Sequence, residues 1–199
     1  NWAIKGIASN NRTKSEIITT KIEHHATLHT VEYLEKRGYI VHYLDVDNQG
    51  FIDLDQLRNL VSDNTMIVSI IMANNEIGTI QNIKEISEIC QAASTYLHVD
   101  AVQVTTHIPI NLKELDVDLV SFSGHKFHAP KGIGLLYIKN GTPIENLIHG
   151  GQQENKLRSG TENVPYIVGF TKALELGLQS MFPSMIRKNE YISYFLQEL

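Results

Sequence analysis

The stretch Ser121-Phe122-Ser123-Gly124-His125-Lys126-Phe127-His128-Ala129-Pro130-Lys131-Gly132 decides how this chain is read. An apolar run over residues 117–122 enters a small, turn-prone segment that presents Lys126 among polar neighbours. Past the Pro130-Lys131-Gly132 turn, a second apolar run covers residues 133–138. Open α/β sheets place their ligands just beyond the carboxyl ends of their strands. A lysine there, partly desolvated, loses proton affinity and becomes an amine nucleophile. The same residues also fit a plain surface lysine in a loop.

Outward from this stretch, short apolar runs alternate with helical periodicity, the pattern of an α/β fold with a mostly parallel sheet flanked by helices. Strands are expected over residues 16–20, 39–46, 66–72 and 96–100. The run Met66-Ile67-Val68-Ser69-Ile70-Ile71-Met72 is nearly all apolar, as a strand buried on both faces should be. Helices are expected over residues 25–36, closed by Gly38, and 53–61, capped by Asp53. Asn82 with Glu85 opens another helix. The tail from Pro165 is helical in pattern, and Pro183 is expected to break or kink it. Its apolar stripe is expected to be exposed or covered by another chain. Polar segments recur at strand carboxyl ends: His24, Asn75, Asp100 and Lys126 all follow apolar runs, so they are expected to converge on one rim.

Asp100 ends the run Tyr96-Leu97-His98-Val99-Asp100. An acid at a strand end is common for capping reasons alone. Paired with a lysine on the next strand end, it suits pyridoxal phosphate. That cofactor is an electron sink only while its ring nitrogen stays protonated, and a fixed carboxylate holds the proton. Gln103, in the following turn, is placed to bond the ring hydroxyl.

The segments Ile22-Glu23-His24-His25-Ala26-Thr27, Met72-Ala73-Asn74-Asn75-Glu76-Ile77-Gly78-Thr79-Ile80-Gln81, His98-Val99-Asp100-Ala101-Val102-Gln103, residues 123–134 and Arg158-Ser159-Gly160-Thr161-Glu162-Asn163-Val164 together resemble the cysteine desulfurases. These belong to the class V aminotransferase branch of pyridoxal-phosphate enzymes. The matches lie in family order and cover almost the whole chain. The resemblance implies the large domain of an aspartate-aminotransferase-like, pyridoxal-phosphate-dependent transferase. It implies that Lys126 carries the cofactor and that His24 stacks on its ring and helps move protons. It implies that Asp100 pairs with the ring nitrogen, that Asn75 and Gln103 bond the ring hydroxyl, and that Ser123 and His125 hold the phosphate. Thr161 would reach the phosphate of the other subunit in a homodimer.

The departures from the family pattern are specific. Residues 1–6 resemble the helix after the family's Gly/Ala-Thr-Glu phosphate cradle, and the cradle itself is not in the sequence. The family's sulfur-accepting cysteine and its substrate-carboxylate arginine belong to the C-terminal third, which is also not here. Residues 1–199 are therefore expected to be the central part of the cofactor-binding large domain. Residues 164–199 would be a helical segment leading toward a small C-terminal domain. Ala129 stands where the family usually has glycine.

The 199 residues carry a net charge of −5, with 42% hydrophobic and 20% charged residues. This is an ordinary globular composition, with no electrostatic case for nucleic acid and no apolar run of membrane-spanning length. The single cysteine rules out an intrachain disulfide and makes a reducing, cytoplasmic setting the default. Cys90 lies on the apolar face of a helical pattern with Ile83 and Ile86, the position of a core filler rather than a persulfide carrier. His25 and His29 have the spacing of a cation pair on one helix face but lack a third ligand, so no metal is expected. The glycines of Asn146-Leu147-Ile148-His149-Gly150-Gly151-Gln152 lack the phosphate-loop spacing and read as a turn before Arg158.

The expected function is therefore removal of sulfur from L-cysteine, giving alanine and an enzyme persulfide for iron–sulfur cluster assembly. A scaffold protein would accept the sulfur, and no nucleic-acid or membrane partner is expected. Without the persulfide loop, these residues alone are expected to fall short of full turnover. Two alternatives stay open: another class V enzyme, such as an aminotransferase or selenocysteine lyase, and a non-catalytic α/β domain.

Overall fold

A computed structural model describes residues 1–11 and 13–199. In chain order the elements are α1 (Trp2–Asn10), β1 (Glu16–Thr20), α2 (His25–Glu35), β2 (Ile40–Leu44), α3 (Leu54–Leu60), β3 (Thr65–Ile71) and α4 (Ile83–Ala92). They continue with β4 (Tyr96–Asp100), α5 (Leu112–Leu115), β5 (Leu119–Ser123), β6 (Gly134–Ile138) and α6 (Val164–Gln197). The six strands form one sheet in the order β2-β1-β3-β4-β5-β6. All pairings from β2 to β5 are parallel, and β6 returns antiparallel beside β5.

Alternation along the strands builds a core on each face. Ile17 and Ile67 face one way and pack with Ile4 and Ile7 of α1 and Val31 and Leu34 of α2. Ile18 and Val68 face the other way and pack with Leu57 of α3 and Ile86 of α4. Every residue of β3 is buried, as its unbroken apolar run requires. The helix that follows β1 covers one face and the helix that follows β3 covers the other. The chain order therefore reverses between these two adjacent strands, and such a reversal opens a crevice at the strand carboxyl ends.

Local signals set the helix ends. Asp53 Oδ1 accepts hydrogen bonds from Asp55 N–H at 2.9 Å and Gln56 N–H at 3.0 Å. At the end of α2, Tyr39 N–H reaches Leu34 O and Gly38 N–H reaches Glu35 O, with Gly38 at φ +93°. That is a left-handed glycine closure, although the last helical residue is Glu35 rather than 36.

The expected break at Pro183 is not found: α6 runs unbroken through it for 34 residues. A proline removes one rung, the bond its N–H would make to the Gln179 carbonyl. Gln179 is exposed, so water can take that carbonyl, and the turns on either side carry the helix on. Only Phe170 and Met181 of α6 are buried, and its large apolar residues, among them Phe182, Ile186, Ile192 and Phe195, are exposed. No helix among the described residues is long and apolar enough to cross a membrane.

Candidate active site at the strand carboxyl ends

The site lies where the parallel strands end together. Thr20 closes β1 and leads to Glu23 and His24, and Ile71 closes β3 and leads to Asn74 and Asn75. Asp100 closes β4 and leads to Gln103, and Ser123 closes β5 and leads to the 3-10 turn Gly124–Phe127 that carries His125 and Lys126. Asp100 and Ser121 are direct partners across β4 and β5, so the acid and the lysine turn rise from adjacent strand ends on one rim. Backbone bonds hold the rim beyond the strands, with Met72 N–H to Asp100 O at 2.9 Å and Ala101 N–H to Ser121 O at 3.1 Å.

Asp100 is 7% exposed, and its Oδ1 accepts from Val102 N–H at 3.0 Å. Its Oδ2 takes no hydrogen bond among the described residues. Burial raises its pKa, while the Val102 bond and the nearby His24 charge oppose that shift. His24 and Asp100 are thus close enough to feel each other. His24 is exposed at the start of α2 and acts as its N-cap, with Nδ1 accepting from Ala26 N–H at 3.1 Å. In the neutral ring that bond claims Nδ1 as an acceptor and leaves the proton on Nε2.

In the lysine turn, Ser123 Oγ and His125 Nδ1 lie 2.9 Å apart. Lys126 is exposed. The turn's shape depends on Gly124, where a Cβ would fall 3.0 Å from both Ala129 Cβ and the Phe170 ring. His128 closes the turn at φ +68°, and Ala129 N–H returns to Gly124 O at 3.0 Å. Ala129 is buried here against that glycine, so alanine fits the turn.

Asn75 is exposed and Gln103 half-buried on this rim, and neither side chain makes a hydrogen bond among the described residues. Thr161 lines a cleft beside the edge strand β6, with Gly134, Leu136, Arg158, Asn163 and Phe170. His25 and His29 stack face to face, ring centroids 5.0 Å apart.

The sequence reading passed over three features of the site. Glu23 is buried and accepts from Thr20 Oγ at 2.8 Å and Ile71 N–H at 2.9 Å. Asn74 donates to Ile22 O at 2.8 Å and accepts from Glu76 and Ile77 N–H, lacing the loop after β3 to the turn after β1. His98, fully buried beneath Asp100, bridges Ser69 and Ser121. Its signal was present: residues two apart on a strand share a face, so His98 lies on the Asp100 side of β4. Glu23 had no such signal, because an acid in a turn beside a histidine looks solvated.

The class-V aminotransferase profile matches residues 1–198. The chain belongs to the class-V aminotransferase family. Its relatives include cysteine desulfurase IscS of Clostridium botulinum, 55% identical over 91% of this chain and 46% of that protein. Cysteine desulfurase IscS of Methanosarcina thermophila is 58% identical over 88% of this chain and 44% of its own length. Among solved structures, a NifS-like protein superposes with a TM-score of 0.95 at 45% identity, covering 98% of this chain and 55% of that one. SspA, solved in complex with cysteine, superposes with a TM-score of 0.84 at 36% identity, over 94% of this chain and 57% of its own. The chain spans about half the length of the curated relatives it matches.

Proposed function

We propose that these residues form the pyridoxal-phosphate-binding part of a cysteine desulfurase that takes sulfur from L-cysteine, leaving alanine, for iron–sulfur cluster assembly. One observation carries the reading: a buried carboxylate and a lysine turn rise from adjacent parallel strand ends, with an imidazole within electrostatic range of the acid. The relatives' names support the activity, and SspA's bound cysteine supports the substrate.

The residues fit the cofactor. Asp100 is a buried acid whose Oδ2 has no donor among the described residues, which suits a protonated ring nitrogen. Ser123 and His125, at a tight turn, suit a phosphate. Asn75 and Gln103 bring amides to the ring's rim. When bound, the cofactor supplies the electron sink for loss of the substrate's Cα proton. The chain's own residues do the rest. Lys126 would hold the cofactor through its amine. Asp100 would keep a proton on the ring nitrogen. His24, exposed on the rim near Asp100, would pass protons there. Cys90 is not the sulfur acceptor: burial pushes its thiol up to about 12, with the Asp118 charge adding to the effect.

The working enzyme is proposed as a cytoplasmic homodimer, with Thr161 reaching the phosphate in the partner subunit. Residues 1–199 would form the central part of the large domain, with 164–199 leading toward a small C-terminal domain and a scaffold protein accepting the sulfur. The test is addition of pyridoxal phosphate to the purified chain, with and without Lys126→Ala. The near-visible absorbance of lysine-bound cofactor should appear in the native chain and vanish in the variant. No band in the native chain, or a band in both, overturns the reading.

A further inference from the structure

Glu23 has no part in the chemistry above, yet it is the most tightly enclosed acid on the rim. It is 5% exposed, and both bonds of its Oε1, from Thr20 Oγ and Ile71 N–H, come from the ends of the two strands where the sheet order reverses. Its Oε2 is buried with no hydrogen-bond partner among the described residues. A bare carboxylate oxygen in such a place is costly to keep ionised. Strand β4 brings the Asp100 charge toward it, and His98 on that strand stays neutral. The ends of β1 and β3 contribute only Thr20 and Ile71, and Lys21 points away to Asp45. His24 begins α2 next to it.

We propose that Glu23 is a positioning residue: its buried carboxyl straps the His24 turn to the end of β3 and so holds the imidazole near Asp100. The residue before it is held the same way, by Asn74 on the Ile22 carbonyl, so the turn has two ties to the loop after β3. Glu23's tie lies nearer the imidazole. Burial, with the Asp100 charge adding to it, raises the Glu23 pKa to about 8 against the two bonds it accepts. Kept neutral, it sets no second negative charge beside Asp100. Ionised, it would set a second carboxylate against Asp100. The meaning of His24 rests on the proposed function, but the strap itself is tested without cofactor.

The experiment compares the native chain with Glu23→Ala and Glu23→Gln, all cofactor-free. Glutamine keeps an oxygen acceptor for Ile71 N–H and Thr20 Oγ but cannot ionise. Amide hydrogen exchange at Ile71 should speed up by about tenfold in Glu23→Ala, the equivalent of one lost hydrogen bond, and return to native in Glu23→Gln. Carbon-13 titration of the Asp100 carboxyl should show a second inflection near pH 8 from Glu23, present in the native chain and absent in Glu23→Gln. With pyridoxal phosphate added, Glu23→Gln should bind as the native chain does, and Glu23→Ala about tenfold more weakly, in line with the lost tie. If Glu23→Ala fails to fold, the Glu23→Gln titration still decides. Unchanged Ile71 exchange in Glu23→Ala, or the pH 8 inflection persisting in Glu23→Gln, overturns the proposal. A missing cofactor band in the native chain would sink the proposed function and leave these cofactor-free results standing.

Discussion

His98 Nε2 lies 2.8 Å from the Ser121 hydroxyl, across the seam between β4 and β5. On its other side, Nδ1 lies 2.8 Å from Ser69 Oγ on β3. Neutral imidazole has one donor and one acceptor nitrogen, and a hydroxyl can serve either, so the three side chains satisfy one another. Thr19 extends the tie to β1 by donating to the Ser69 carbonyl at 2.9 Å. The strand ends that carry Asp100 and the lysine turn are thereby cross-linked under the site. Ser69→Ala or Ser121→Ala strands a buried ring nitrogen and should cost ~1–3 kcal/mol each in urea unfolding. Loss of less than a few tenths in both variants would show that water replaces the hydroxyls.

The same histidine sets one side of the stability profile, and Glu23 sets the other. Burial lowers His98 to about 3 from 6.5, so the unfolded chain binds the extra proton between those values and stability falls as pH drops through them. Glu23 is raised from 4.5 to about 8, so the folded chain holds the extra proton and stability falls as pH rises through that window. Between 4.5 and 6.5 the two slopes oppose each other. Thermal melting against pH should therefore be flat-topped there, with an acid limb that His98→Leu shallows and an alkaline limb that Glu23→Gln shallows. A native maximum near pH 8, or an alkaline limb unchanged by Glu23→Gln, counts against this balance.

Much of this was legible in the residues. The apolar run of β3, the Asp53 cap and the Gly38 closure each fixed an element through short-range chemistry, and the placement of His24, Asp100 and Lys126 at strand ends pointed to a shared rim. What sequence could not show was the sheet order, because pairing between distant strands leaves no local mark. Without that order, the reversal between β1 and β3 was hidden, and so was the reason Glu23 is enclosed rather than solvated. Pro183 failed as a stop signal because one lost rung in an exposed stretch is easily met by water. The antiparallel return of β6 follows from the short turn after Lys126, which leaves too little chain for a crossover.

Asp100→Asn separates the fold role of this acid from its ligand role. The asparagine carbonyl can still accept from Val102 N–H, the one hydrogen bond the Asp100 side chain makes among the described residues. It cannot hold a proton on a ring nitrogen. The chain should fold as the native one does, with melting unchanged or slightly raised by the loss of a buried charge. Pyridoxal-phosphate affinity, read by spectrophotometric titration, should fall by about tenfold or more, the scale of a lost charge-assisted hydrogen bond. Unchanged affinity with an intact fold would remove Asp100 from the proposed site.

Cys90 provides an independent check on where sulfur chemistry does not occur. It sits 1% exposed on α4, packed in the core with Ile86 and Ile89. Burial pushes its thiol up to about 12, so at neutral pH it carries almost no thiolate, the form that attacks sulfur or a reagent. An aromatic disulfide reagent should leave Cys90 unmodified in native buffer and label it fully in denaturant. Cys90→Ala should cost ~1 kcal/mol or less from the small cavity and leave the cofactor band unchanged. Rapid stoichiometric labelling of the folded chain would show the thiol to be accessible and would reopen it as a sulfur carrier.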